Sequence, residues 1–353
     1  LQTDFADPFP LHGDLALLLT TSGSTGSPKL VRQSYRNLAS NAQAIAQYLE
    51  LNATERPITT LAMSYTYGLS ILNSHLLVGA TLLVTAKTLV EKGFWEFFKS
   101  AGATSFGGVP YTYEMLKKLR FFRMELPTLR TLTQAGGKLA PELAREVAEY
   151  AASRNVRFFV MYGQTEATAR MAYLPPELAL AKCGSMGIPI PGGRFELVDE
   201  AGARIEGPDV PGELVYHGPN VALGYAERGE DLAKGDEWGG VLATGDLARR
   251  DVDGFYYVVG RKKRFLKIFG NRVNLDETER MLKDRFDGLE CACDGVDDRM
   301  TVYLAEAARA REVLDFLAAK TGLNPIAFAA KAVPGIPKND AGKTLYAELE
   351  KLG

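Results

Sequence analysis

Apolar and polar positions switch between two periods along the first half of the chain. The run LALLL at residues 15–19 is continuously apolar, the pattern of a buried strand. Behind it, Leu38, Ala42, Ile45, Ala46 and Leu49 recur at helical spacing, with Ser34 placed to cap the helix. Further strand-like runs are ATLLVT near Ala80, TSFGGV near Thr104, LRTLTQ near Leu129 and RFFVMY near Arg157. Between the last two, LAPELAREVAEYAA reads as a helix with Pro141 in its first turn. Strands alternating with helices predict an α/β fold with a mostly parallel sheet and flanking helices.

From about residue 187 the pattern changes to short β runs broken by Gly and Pro: RFELVDEAGARI, GELVYHG and DGFYYVVGR. These predict an antiparallel β subdomain. The remainder reads as a small α+β unit: a hairpin-like FLKIFGNRVNL, a helix from Asp276 with Glu279 completing a capping box, and a helix through REVLDFLAAK. The basic run GRKKR marks the break. The expected organisation is a large domain over residues 1–260 and a small, mobile C-terminal domain over residues 261–353.

Composition narrows the class of protein. A hydrophobic fraction of 46% with 24% charged residues is that of a globular chain, and no apolar run approaches the ~20 residues of a bilayer span. A formal net charge of −2 argues against a nucleic acid or an anionic membrane held by bulk electrostatics, so a phosphate ligand needs a local site. Cys183, Cys291 and Cys293 make no disulfide framework, which points to the cytoplasm. Cys291-x-Cys293 lacks a second ligand pair, and His12, His75 and His217 are too scattered for a metal centre. The chain opens on Leu1 without a signal-peptide pattern, as a trimmed N-terminus would.

One loop carries chemistry by itself. In TTSGSTGSPK, from Thr20, small residues let backbone N–H groups approach an oxyanion, the hydroxyls of Ser22, Ser24 and Thr25 add donors, and Lys29 adds a charge. It is not a Walker A loop, because Pro28 precedes the lysine and Leu30 follows it. A flexible Gly/Ser connection is the competing account.

Downstream lie MYGQTEA at residues 161–167, GELVYHGPNVALGY at 212–225, TGDLARRDVDGFYYVVGR at 244–261 and PKNDAGKT at 337–344. With the loop, this ordered set resembles the adenylate-forming superfamily of acyl-CoA synthetases, peptide-synthetase adenylation domains and beetle luciferases, from about Leu15 to the end of the chain. The resemblance implies ATP-dependent activation of a carboxylic acid to an acyl-adenylate, with release of pyrophosphate and transfer to a thiol. It assigns Thr21, Ser22, Gly23, Ser24, Thr25, Gly26 and Lys29 to the phosphates. Tyr162 would stack on adenine against Gly136 and Gly137, with Lys138, Met161 and Gly163 alongside. Thr165 would bond the α-phosphate and Glu166 would hold Mg2+. Asp246 would accept the ribose hydroxyls, as a carboxylate can from a cis-diol, with Arg261 beside it. Lys343 matches the adenylation lysine and Lys263 the hinge, about which Lys267 and Gly270 would enter for the second half-reaction.

Two departures bear on the reading. Relatives carry a long segment before the phosphate loop, so the chain is either trimmed or a compact member lacking most of that subdomain. In AMSYTYGLS, Tyr65 stands where many acyl- and aryl-CoA synthetases have His, and amino-acid-activating relatives place an Asp in this segment. No acidic residue lies between Leu61 and Leu76, and a buried unpaired ammonium costs several kcal/mol. The expected substrate is therefore an aryl or fatty acid without an α-amino group. Tyr65, Tyr67, Gly107, Gly108, Val109 and Gln134 are the candidate acyl pocket, with core packing an equal account of Val109. CoA is the expected acceptor; the phosphopantetheine of a carrier protein is the alternative, and a non-catalytic nucleotide-binding relative a remoter one.

Overall fold

The computed structural model describes residues 9–20, 29–262, 264–269, 271–339, 342 and 344–352. The chain divides into two compact units. One comprises Leu1–Glu196, Val215–Thr244 and Arg250–Tyr257, the other Leu197–Leu214, Gly245–Arg249 and Val258–Gly353. The units therefore do not follow a single cut near residue 260. Strands Arg194–Val198, Gly212–His217, Val241–Arg250 and Tyr256–Arg261 each carry residues of both units.

In the first unit, Ser105–Gly108, Thr131–Gln134 and Arg157–Tyr162 are parallel neighbours, extended antiparallel by Ala172–Leu174 and Ile188–Pro189. Register puts Phe106, Leu132 and Phe158 in one row. That row is buried with Phe94, Phe98, Leu116, Phe121 and Val147, which come from the helices Lys92–Ser100, Pro110–Lys118 and Pro141–Ser153 and the short turn Phe121–Arg123. Each such side chain contributes about 1.5–3 kcal/mol through burial. Alternation along a strand sends the next row, Gly107 and Thr133, to the opposite face. There, helices Tyr35–Tyr48 and Thr66–Leu77 pack together.

Two sequence expectations change here. The run at 15–19 does form a strand, Leu15–Thr20, but in a separate antiparallel sheet with Leu30–Ser34 and Gly224–Ala226. Its partner follows directly after the Gly/Ser loop, a connection too short for a parallel crossover, and most of its residues are only half-buried. ATLLVT forms no strand; Leu83 joins Ile58 by an isolated bridge. The helix after Ser34 starts as read, with Ser34 and Asn37 forming a reciprocal cap.

The second unit contains the hairpin Phe265–Ile268/Asn271–Asn274 and a three-stranded sheet of Cys291–Val296, Arg299–Leu304 and Phe328–Ala332. Helices Leu275–Arg285 and Ala310–Thr321 contribute Leu282, Val313 and Leu317 to its core, alongside Cys293 and Val302. The expected capping box from Asp276 is replaced by Asn274, whose side chain accepts from Glu277 N at 3.1 Å. Glu279 lies on the buried face of its helix and turns inward. It accepts from Arg264 at 2.6 Å, from Cys293 N at 2.7 Å and from the Tyr346 hydroxyl at 3.1 Å. The Arg264 guanidinium stacks 3.5 Å from the Tyr346 ring centroid.

Burial raises the Glu279 pKa and the Arg264 charge opposes that rise. Arg264→Met strands the carboxylate and is expected to cost about 3–5 kcal/mol in urea denaturation. Because Glu279 is then held with a raised pKa, the stability is present when it is protonated and lost as pH rises. The deficit should therefore shrink as pH is lowered.

Candidate active site

At the end of strand Arg157–Tyr162 the chain turns through Gly163 and Gln164 into the short turn Thr165–Ala167. Only glycine fits at 163, since a Cβ there would lie 1.6 Å from the Ala169 carbonyl oxygen. Polar groups hold the turn from several sides. Gln33 Nε2 donates to Thr165 O at 2.9 Å, Ala222 N to Glu166 O at 2.9 Å, Asn220 Nδ2 to Ala167 O at 2.8 Å and Gln164 Nε2 to Thr244 O at 3.0 Å. The Thr165 and Glu166 side chains stay half-buried.

The Tyr225 hydroxyl donates to Glu166 Oε1 at 2.9 Å. Lys29 Nζ lies 5.6 Å from the Tyr225 ring centroid and 2.8 Å from Glu227. Lys29, Tyr225 and Glu166 thus form one row, because Gly224–Ala226 pairs with Leu30–Ser34. Thr21, Ser22, Gly23, Ser24, Thr25 and Gly26 lie outside the described residues, as do Lys263, Gly270 and Lys343. The strands on either side of the loop are antiparallel neighbours, and the helix that follows in sequence begins only at Tyr35, after strand Leu30–Ser34. Among the described residues no three His, Cys, Asp or Glu side chains form a metal cluster. One carboxylate at Glu166 suits Mg2+, which keeps waters and substrate phosphate oxygens as its other ligands.

Strand Thr131–Gln134 ends in a second glycine turn, where Gln134 Nε2 donates to Gly137 O at 2.8 Å. Gly136 has φ +84°, and a Cβ there would meet the Tyr65 hydroxyl at 2.7 Å and Val109 Cγ1 at 3.1 Å. Lys138 is exposed, and the Tyr162 ring packs edge-on to Phe195 with centroids 6.4 Å apart. Met161 is buried, its sulfur accepting from the Tyr48 hydroxyl at 3.0 Å. The Tyr67 and Thr133 hydroxyls share a hydrogen bond of 2.7 Å beside Gly107. Tyr65, Tyr67, Gly107, Val109 and Gly136 are brought together. Gly108 faces the other side of the sheet, against Thr112 and Tyr113, and Gln134 serves the Gly137 turn.

Sequence reasoning assigned no role to Tyr225 or Arg170. Tyr225 lay inside a quoted motif. Arg170 is signalled only by being a lone charge in the small and apolar stretch ATARMAY. Its guanidinium is buried 3.8 Å from the Tyr67 ring centroid. Tyr48 and Tyr65 are the other phenols that feel its charge.

In the second unit, Asp246 is buried with Arg261 Nε 3.2 Å from its Oδ1. Lys262 N donates to Gly245 O at 2.8 Å, which fixes the turn before Asp246. Lys267 is exposed on Phe265–Ile268, its backbone N–H bonded to Asp297 Oδ1 at 2.8 Å.

The family model of AMP-binding enzymes matches residues 3–226. The chain belongs to this family. AMP-binding relatives include a 2-succinylbenzoate–CoA ligase of Geobacillus sp. (strain WCH70), 30% identical over 81% of this chain and 56% of the relative. An oxalate–CoA ligase of Arabidopsis thaliana is 30% identical over 81% of this chain and 55% of the relative. The fold matches the O-succinylbenzoate coenzyme A synthetase of Bacillus subtilis solved in complex with AMP, with a TM-score of 0.79, 25% identity and coverage of 96% and 70% of the two chains. The chain spans about half the length of the curated relatives it matches. No helix among its described residues is long and apolar enough to cross a membrane.

Burial pushes the Tyr67 phenol up to about 12, against the opposing pull of Arg170. The folded chain therefore keeps this proton where the unfolded chain releases it, and stability should fall as pH rises from about 10 to 12. Ultraviolet titration of the folded protein should find Tyr67 silent through pH 10. Tyr67→Phe should flatten part of the alkaline fall in melting temperature.

Proposed function

We propose that this AMP-binding chain activates a carboxylic acid with ATP and passes the acyl group to a thiol, CoA in the first instance. A carboxylate oxygen attacks the α-phosphorus, the bond to the β-phosphate breaks, and pyrophosphate leaves. The thiolate then attacks the acyl carbon and AMP leaves. The observation that carries the reading is the row Lys29, Tyr225 and Glu166, set where the motif strands end. Lys29 stands to neutralise the departing pyrophosphate. Magnesium held by Glu166 would draw charge from the phosphate oxygens. Tyr225 fixes the carboxylate that holds it. Thr165 would donate to the α-phosphate, Tyr162 and Gly136–Gly137 with Lys138 and Met161 would hold adenine, and Asp246 with Arg261 would hold the ribose.

The small domain, taken as residues 261–353 hinged at Lys263 on residues 1–260, would present Lys343 for adenylation and Lys267 for transfer. The acid is an aryl or fatty acid without an α-amino group. No acidic side chain stands in the segment 61–76, and the buried Arg170 adds a cation that would repel an ammonium. The named relatives are ligases of CoA, which favours CoA over the phosphopantetheine of a carrier protein. Three free thiols, two of them buried, suit the cytoplasm.

The test is ATP–pyrophosphate exchange across a panel of acids. Exchange with at least one acid is expected; nucleotide binding without exchange for any acid would overturn the reading. Glu166→Gln should lower exchange by about 10²–10³-fold, the scale for losing one preorganised electrostatic group. Lys343→Ala should abolish exchange yet spare thioester formation from preformed acyl-adenylate. Equal loss of both half-reactions would contradict the two-position mechanism.

A further inference from the structure

The segment PKNDAGKT, in which Lys343 stands, is closed at its base. Lys338 and Thr344 pair in an isolated antiparallel bridge, Leu345 N donates to Pro337 O at 2.8 Å, and Gly342 N donates to Asn339 O at 2.8 Å. Between the limbs the sequence offers only Asn, Asp, Ala, Gly and the lysine itself, residues that favour a turn and bring wide backbone freedom to it. The order of such a loop comes from its two ends.

Those ends are fastened unequally. On the incoming limb, Lys338 Nζ lies 2.8 Å from Glu290 Oε1, an ion pair between two exposed side chains that holds little in water. On the outgoing limb, Tyr346 opens the short helix Tyr346–Leu349 and is held in three ways. Its ring packs against the buried cluster of Ala292, Tyr303, Val333, Ile336 and Leu349, its hydroxyl donates to Glu279 Oε2 at 3.1 Å, and its face takes the Arg264 guanidinium at 3.5 Å. Burial raises the Tyr346 pKa, so the hydroxyl keeps the hydrogen that it donates.

Arg264 is itself fixed from several sides. Its Nε lies 2.5 Å from Asp276 Oδ1, its Nη2 donates to Glu279 Oε1 at 2.6 Å and to Cys293 O at 3.1 Å, and its own carbonyl accepts from Leu275 N at 3.0 Å. It is also the residue after Lys263. One guanidinium thus ties the chain just past the expected hinge to the chain just past the lysine.

We infer that Tyr346, held by Glu279 and Arg264, is a positioning residue for the adenylation half-reaction, because it fixes the base of the loop from which Lys343 acts. This rests on the acid-activation reading above. A misplacement of about 1 Å at a reacting group can cost about 10²-fold in rate, and the lysine stands three residues from this anchor. Lys267 is held separately, its N–H bonded to Asp297, so the transfer half-reaction does not pass through Tyr346.

The experiment compares the wild-type chain with Tyr346→Phe, which keeps the ring and its stack on Arg264 and removes only the hydroxyl bond, and with Tyr346→Leu, which removes the stack as well. The kcat of ATP–pyrophosphate exchange, with an acid that the wild type accepts, should fall about tenfold in Tyr346→Phe and further in Tyr346→Leu. KM for ATP should stay within about twofold, since a residue acting through Lys343 leaves ATP affinity alone. Thioester formation from preformed acyl-adenylate should keep its wild-type rate. Hydrogen–deuterium exchange should quicken at the Gly342 and Leu345 amides of Tyr346→Phe and stay unchanged at Val302 in the core.

Wild-type pyrophosphate exchange in Tyr346→Phe overturns the inference, and so does equal loss of both half-reactions. A Tyr346→Phe chain that does not fold overturns it too, since the hydroxyl would then hold the fold rather than the loop. The two readings fail separately. A wild-type chain that exchanges with no acid removes acid activation, and the amides then decide the fastening alone, unchanged protection at Gly342 and Leu345 overturning it; exchange that is intact in wild type and variant alike removes only the role of Tyr346.

Discussion

Arg32 is the fastening on which the first unit's site depends. It is fully buried in the strand after the Gly/Ser loop, and its guanidinium donates to the carbonyls of Leu223, Tyr225, Lys234 and Gly235 and pairs with Glu237. One side chain thereby satisfies four backbone acceptors of a segment with little regular structure of its own. The short strand Gly224–Ala226 is held against Leu30–Ser34 by this arrangement as well as by its own ladder. Without that hold, the Tyr225 hydroxyl has no fixed position from which to orient Glu166. The chain of cause runs from a buried charge to a strand, from the strand to a phenol, and from the phenol to a carboxylate.

Local features were legible in the sequence and long-range ones were not. Ser34 and Pro141 announced their helices because capping and first-turn geometry involve only the next few residues. The hairpin at 265–274 was readable for the same reason. The sheet of Leu15–Thr20 was misread because its third member comes from residues 224–226, and nothing in a continuous apolar run names a partner so far along the chain. Glu279 sits three residues after Asp276, a spacing that reads as a cap, but the cap lies two residues earlier, on Asn274, and that glutamate turns toward Arg264. A capping pattern cannot register a shift of this size.

The candidate site divides along the same line. The glycine turns at 136 and 163 are visible as glycines, and the structure supplies their reasons, a hydroxyl of Tyr65 in one case and a carbonyl of Ala169 in the other. Segment 61–76 was read by what it lacks. Arg170, which shares the pocket with that segment, has the sign that strengthens the exclusion of an ammonium. No spacing rule connects residue 67 with residue 170. Their pairing exists only because residue 170 leads into strand Ala172–Leu174, the antiparallel neighbour of Arg157–Tyr162, while helix Thr66–Leu77 lies against the same cavity.

The way the two units share the chain also governs how this protein can be recombined with its kin. A single crossover near residue 260 would import residues 261–353 from another member but leave 197–214 and 245–249 as the original sequence. Those two stretches belong to the same compact unit as the imported part, so the graft would join foreign and native segments within one unit. An exchange that respects the units needs three segments moved together, with junctions falling inside strands.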